Sequence, residues 1–148
     1  MTQTTLLGCV ACGAQNRVSA ESAGKTLRCG KCGADLQPAG VAPCTQAGFA
    51  AAVLEAPLPV LVDFWAPWCA PCRMLGPELE KLSGQLAGRL KVVKVNIDEN
   101  PALAAQFNIR SVPTMLMFNR GKVVETLNGA MSAMAITQRL QTHLTAGH

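Results

Sequence analysis

Apolar residues recur at helical spacing in three stretches of this 148-residue chain and run nearly unbroken in two others. "TQAGFAAAVLEA" (45–56) opens on Thr45, a good N-cap, and continues with helix formers. Cys44 and Phe49 then fall at the two ends of a hydrophobic staple. "PVLVDFWA" (59–66) has β-branched residues and almost no polar position, the signature of a strand buried on both faces. A helix is predicted from about Ala70 to Leu86, with Pro77 inside it as a source of a kink. "LKVVKVNID" (90–98) reads as a second buried strand, and "PALAAQF" (101–107) as a short helix opened by Pro101. "TMLMFNRGKVVETLNG" (114–129) reads as two strands joined at "NRG". "SAMAITQRLQTHL" (132–144) is a final amphipathic helix capped by Ser132. This order implies an α/β domain: a mixed sheet with helices on both faces.

Residues 1–37 break the pattern. They hold no aromatic residue and few large aliphatic ones, so burial alone does not fold them; a segment this short needs a metal or disulfides. The expected organisation is a metal module over 1–37, a linker entering a first strand over 38–43 ("PAGVAP"), and an α/β domain over 44–148. Cys9, Cys12, Cys29 and Cys32 give C-x2-C-x16-C-x2-C, the ligand set for a closed tetrahedral Zn²⁺ site. Gly13 and Gly33 follow the second cysteine of each pair, letting the knuckle turn so that backbone N–H groups point at sulfur. Zinc supplies roughly 10–16 kcal/mol of apparent free energy to such a module, ample for its folding. A structural zinc-ribbon-like site is the expected use; oxidation of the thiolates with release of metal is the second.

The third pair, "WCAPC" (68–72), lies where a buried strand meets a helix. With Cys69 as N-cap, its sulfur faces free backbone N–H groups and the positive end of the helix dipole, which favour thiolate. Cys72 starts a 3,4,3,4 series with Leu75, Leu79, Leu82 and Leu86 and so lies on the core-facing stripe. The spacing makes Cys69 exposed and attacking, and Cys72 shielded and resolving. Asp63 is expected to be buried, because Leu61, Val62, Phe64 and Trp65 leave no polar face beside it. Cys44 is expected to pack as a small apolar residue.

"VDFWAPWCAPCRMLGP", "KVNID", "IRSVPTMLMF", "RGKVV" and "NGA" stand in the order and spacing of the thioredoxin family, and residues 41–148 resemble it. With the double-CxxC module, the whole chain resembles the zinc-containing bacterial thioredoxin 2 group. The resemblance implies a thioredoxin fold, a central mixed sheet flanked by four helices, and protein-disulfide reduction through a mixed disulfide. It implies that Cys69 is the nucleophile and Cys72 the resolving thiol, with Asp63 handling the proton of Cys72 and Lys94 as its charge neighbour. Pro113 matches a cis-proline facing the disulfide. Trp68, Ala70, Pro71 and Gly129 border the substrate groove, while Trp65 packs beside it. An NADPH-dependent thioredoxin reductase is the implied electron donor, and disulfide-containing proteins are the clients. The family's usual "CGPC" is "CAPC" here; Ala70 favours helix over Gly by roughly 0.5–1 kcal/mol, which tunes the redox poise.

Net charge is +4, and four thiolates with one Zn²⁺ bring the N-terminal module to neutrality, so no strong field for nucleic acid or anionic lipid is expected. A zinc-dependent binding module on a thioredoxin scaffold is a competing reading. It is weakened by the module's lack of aromatic residues for stacking. An oxidase or isomerase is the competing enzyme. The start "MTQTTLLGCVACG" has neither the basic opening nor the apolar stretch of a signal peptide. Seven cysteines without export signals then point to a reducing compartment, and cytoplasm is the expectation.

Overall fold

A computed structural model describes residues 4–19, 27–36 and 40–144. The elements run β1 (Thr4–Gly8), β2 (Gln15–Ser19), β3 (Ala42–Pro43), α1 (Gln46–Phe49), a π-helical turn (Ala50–Leu54), β4 (Val60–Trp65), α2 (Ala70–Gln85), β5 (Lys91–Asn96), α3 (Pro101–Gln106), β6 (Thr114–Asn119), β7 (Lys122–Asn128), α4 (Ala133–Leu140) and a 3₁₀ turn (Gln141–His143). The linker reading for 38–43 falls partly on residues 38–39 and the module reading for 1–37 partly on 1–3, 20–26 and 37, all of which lie outside the described residues, as do 145–148.

Strands β3–β7 form one sheet in the order β3-β5-β4-β6-β7. β4 pairs parallel with β5 and antiparallel with β6, so it is hydrogen-bonded on both sides. Its apolar run is explained by this central place: Val60 to Phe64 are all buried. Alternation splits the core in two. Val60, Val62 and Phe64 face α1 and α3 in a cluster that includes Phe49, Leu103, Leu116 and Phe118. Leu61 faces α2 and α4 with Leu75, Leu79, Leu82, Met115, Met117, Ile136 and Leu140. In the first cluster, Phe107 stands 5.3 Å from both Phe49 and Phe118, centroid to centroid, an edge-on packing in the latter case worth about 0.5–1.5 kcal/mol beyond burial. Arg120 and Gly121, at φ 53° and 82°, form the two-residue turn between β6 and β7, as the right-handed twist of a hairpin requires.

The first helix departs from expectation. Thr45 caps it, its side chain accepting from the Gly48 N–H, but only four residues are α-helical before the π turn. Ala51, Ala52 and Val53 are buried consecutively, more than the one stripe that an α-helix buries against a single partner. Here there are two partners. Ala52 and Val53 face the sheet, while Ala51 meets Gly8 of the N-terminal module.

That module is a small β1–β2 ribbon followed by an isolated bridge between Arg28 and Asp35. Its own cluster, Cys9, Cys29 and Leu36 with Leu7, Val18 and Leu27 around them, is small, in keeping with the composition. It is also more than an appendage. Val10 belongs to the sheet's core cluster. The Val10 carbonyl accepts from the Thr45 N–H at 3.1 Å, and the Ala11 carbonyl from Thr45 Oγ1 at 2.9 Å. Gln15 donates to Glu55 at 2.7 Å. Gly48 lets α1 approach this segment closely: a Cβ there would collide with the carbonyls of Val10 and Cys9. Nothing in the sequence pattern marked this interface, because its contacts are mostly backbone.

Gly48→Ala therefore has a definite sign. Alanine ordinarily favours a helix over glycine, but here the methyl meets backbone that has nowhere to yield. The variant is expected to lose about 1–3 kcal/mol of stability, measured by urea unfolding of the full chain. A gain in stability would show that the module does not press on α1.

Candidate redox and metal sites

Strand β4 ends at Trp65, and the chain turns through Ala66, Pro67 and Trp68 into α2. Cys69 is the N-cap of α2 and its sulfur accepts from the Cys72 N–H at 3.2 Å. The two cysteine sulfurs are joined as a disulfide across a Cα–Cα distance of 5.3 Å. Cys72, Leu75, Leu79 and Leu82 are buried on one stripe of the helix, which is continuous through Pro77. The expected contrast in exposure is not seen: Cys69 is 4% and Cys72 6% exposed. Ala66, Val112 and Ile97 pack around the joined pair, so in this oxidised form the N-cap sulfur is covered as fully as its partner. Ala70 and Pro71, between the cysteines, are exposed, and so is Trp68 at 67%.

Asp63 is buried, as the absence of a polar face in β4 implied. It shares a sheet face with Leu61, on the α2 side, and one of its oxygens has no hydrogen-bond partner among the described residues. Burial pushes its carboxyl up to about 7, opposed by the charge of Lys94. Lys94 is its directly paired neighbour on β5, half-buried, with its ammonium 5.6 Å above the Trp65 ring centre. Trp65 is half-buried and packs against the dithiol cluster.

Pro113 is buried, and the Val112–Pro113 peptide is cis. The Val112 carbonyl oxygen lies 3.6 Å from Cys69 Sγ. Gly129, at φ +88°, donates its N–H to the Pro113 carbonyl at 2.9 Å, which ties the end of β7 to the cis-proline loop. Only glycine takes that backbone shape without strain. Two further contacts at the site carry no signal in the sequence pattern. Arg73 reaches back to the Pro67 carbonyl at 2.9 Å and braces the loop before Cys69. Trp68 Nε1 donates to Asp98 at 3.5 Å.

The other four cysteines come together. The sulfurs of Cys9, Cys12, Cys29 and Cys32 all lie within 4.8 Å of one another, with 3.6 Å between Cys9 and Cys32 and between Cys12 and Cys29. A tetrahedral ion about 2.3 Å from each sulfur holds sulfurs about 3.8 Å apart, so the cluster fits a metal. The two knuckles match: Gly13 donates to the Cys9 carbonyl and Gly33 to the Cys29 carbonyl, each at 2.9 Å and each glycine at positive φ. The Lys31 N–H points at Cys29 Sγ at 3.4 Å, and Asn16 Nδ2 at 3.5 Å. Backbone hydrogen bonding from Cys32, with help from Asn16 and Lys31, holds the Cys29 thiol down to about 6. Asn16, with its Oδ1 also accepting from Gly30, is a residue that supports the ligands from outside the CxxC pattern. Cys44 is a free, buried cysteine outside the four-sulfur cluster. Burial pushes its thiol up to about 12, which fits a packing role.

A model of the thioredoxin family matches residues 40–142. The chain belongs to the thioredoxin family. It is 48% identical over 103 residues to "Thioredoxin 1" of Nostoc sp., covering 70% of this chain and 96% of that protein. "Thioredoxin 1" of Synechococcus elongatus gives the same identity and coverage. "Thioredoxin" of Haemophilus influenzae is 43% identical over 98 residues, covering 66% of this chain and 92% of that one. The family match leaves the four-cysteine module outside it. The thioredoxin relatives make this chain a thiol–disulfide oxidoreductase.

Asp63 makes stability depend on pH. An unfolded aspartate titrates near 3.9 and the folded one near 7, so the unfolded state holds fewer protons between those values. The native carboxyl is therefore harmless below about pH 4 and increasingly costly as pH rises to 7. Asp63→Asn is expected to stabilise the oxidised protein by a few kcal/mol at pH 8, the order of magnitude set by about three units. The gain should fade to nothing at pH 4. Denaturant unfolding at the two pH values measures it; an equal effect at both would mean the carboxyl does not titrate in this window.

Proposed function

We propose that this thioredoxin-family chain is a protein-disulfide reductase working at Cys69 and Cys72. The observation that carries the reading is the placement of Cys69 Sγ at the cap of α2, accepting the Cys72 N–H. That N–H and the helix dipole stabilise a thiolate once the disulfide is reduced. The Cys69 thiolate attacks one sulfur of a client disulfide. That S–S bond breaks, a mixed disulfide forms, and the second client sulfur leaves as thiolate. Cys72 then gives its proton to Asp63 and attacks Cys69 Sγ. The mixed disulfide breaks, the client sulfur that Cys69 had attacked leaves as thiolate, and the Cys69–Cys72 disulfide is restored. The client has gained two electrons and the protein has lost two. A carboxyl near 7 is well matched to taking that proton at neutral pH, with Lys94 tuning it across the sheet.

In this reading Pro113 faces the reacting sulfurs. Trp68, Ala70, Pro71 and Gly129 border the groove for the client chain, and an NADPH-dependent thioredoxin reductase returns the electrons. Cys9, Cys12, Cys29 and Cys32 would hold one structural Zn²⁺, as in the zinc-containing thioredoxin 2 group that the double-CxxC module resembles; the fit of four converging sulfurs supports this reading. The metal would supply folding free energy to the ribbon and take no part in the exchange. The module is residues 1–37, the redox domain 44–148, and the compartment the cytoplasm. No helix among the described residues is long and apolar enough to cross a membrane.

Reduction of insulin disulfides with NADPH and a thioredoxin reductase tests the activity. Cys69→Ser is expected to abolish it. Cys72→Ser should accumulate mixed disulfides through Cys69, seen on non-reducing gels, since attack proceeds and resolution fails. Trapping by Cys69→Ser instead would reverse the two roles. Metal analysis should give one zinc per chain, retained in a Cys69→Ser, Cys72→Ser double variant. Zinc lost with those two thiols would reassign the metal site.

A further inference from the structure

We infer that Asn100, at the start of α3, is a positioning residue that ties the metal knuckle to Trp68. The inference rests on the roles just proposed for the two cysteine sites.

A single series of hydrogen bonds runs between those sites. Between the ligands Cys9 and Cys12, the carbonyls of Val10 and Ala11 accept from Thr45. Gln46, the next residue, donates its N–H to Asn100 Oδ1 at 2.9 Å. Asn100 donates to the Asn96 carbonyl twice, from its backbone N–H at 3.0 Å and from Nδ2 at 3.1 Å. Asn96 Oδ1 accepts from the N–H groups of Asp98 and Glu99 at 2.9 and 3.3 Å, which shapes the turn after β5. Asp98 then accepts from Trp68 Nε1, beside the attacking cysteine.

Two features give the series mechanical meaning. α1 is only four residues long before it becomes a π turn, so few helical bonds fix its first turn, and the contacts with Val10 and Ala11 help set its place. Those carbonyls in turn keep their positions only while the ribbon is folded. The ribbon has little core of its own and depends on its metal. Loss of metal removes the acceptors of Thr45, frees the first turn of α1, and so shifts Gln46 against Asn100. The Asn100 side chain joins α1 to the β5–α3 turn, accepting from the first and donating to the second. The other bonds of that turn are local and would hold without it. The Trp68 indole offers a direct reading of the coupling.

The experiment follows the indole N–H resonances of Trp65 and Trp68 by ¹H–¹⁵N NMR in the full oxidised chain. They are compared between metal-loaded protein and a Cys9→Ser, Cys12→Ser variant, with metal content measured on both. The Trp68 resonance is expected to move on metal loss, well beyond any shift of Trp65, whose ring nitrogen makes no hydrogen bond among the described residues. Asn100→Ala should abolish that response. Asn100→Asp, which keeps the acceptor for Gln46 but loses the Nδ2 donor to the Asn96 carbonyl, should leave a response smaller than that of the native chain. A Trp68 response of full size in Asn100→Ala overturns the proposal. So does a metal-loaded chain whose Trp68 resonance ignores metal loss, although the metal site would then stand. A chain that takes up no metal overturns both.

Discussion

β4 is paired on both edges and covered on both faces, and the redox site follows from that confinement. A strand so enclosed has no room for a solvated side chain, which is why its residues read as an apolar run. Asp63 is the exception, and its cost is the measure of its use. A carboxylate taken out of water without a full set of hydrogen bonds is destabilised, so its proton affinity rises toward the neutral range. The same strand then delivers the chain, through three residues, to the N-terminus of α2. There the free N–H groups of a helix end meet a sulfur, and the physics reverses sign: negative charge is welcomed. One strand thus presents a group that resists ionisation and a helix start that favours it, on the same side of the sheet.

Three CxxC pairs in one chain fall into two arrangements because of what surrounds each spacing. In the ribbon, each pair sits in a knuckle whose N–H groups and glycine turns aim four sulfurs at one point. At Cys69 and Cys72 the pair lies in the first turn of a helix, where the side chains of residues three apart face each other, and Ala66, Val112 and Ile97 close around it. A metal ligand set needs four converging donors; a dithiol needs two neighbours and a way to bias their charge.

The ribbon and the sheet domain share more surface than their compositions suggest. Val10 fills part of the domain's own core, and Gly48 and Gly8 allow α1 and its π turn to lie against the ribbon. The bulged helix is the structural trace of this packing, since it buries successive residues toward two different partners. The ribbon is in this sense part of the scaffold on which α1 rests.

The sequence determined by itself the elements that depend on local pattern. The 2-residue and 3.6-residue periodicities placed β4, β5 and α2 within a residue or two, and the start of α4, whose predicted last turn is a 3₁₀ turn. Ser132 and Thr45 marked helix starts, and "NRG" marked the hairpin. The spacing of cysteines foretold which four sulfurs converge and which two pair, because ligand and helix geometry are written over three or four residues. The burial of Asp63 was legible for the same reason, from its neighbours alone. Only the tertiary structure decided that Cys69 is covered in the disulfide form, since its cover comes from Val112, more than forty residues away. It alone decided that α1 widens into a π turn, that Asn16 braces a metal knuckle, and that Asn100 bridges α1 and the β5–α3 turn. Those features rest on backbone carbonyls and amides meeting across long chain separations, and every residue carries the same carbonyl and nearly every one the same amide, so no choice of side chain announces them.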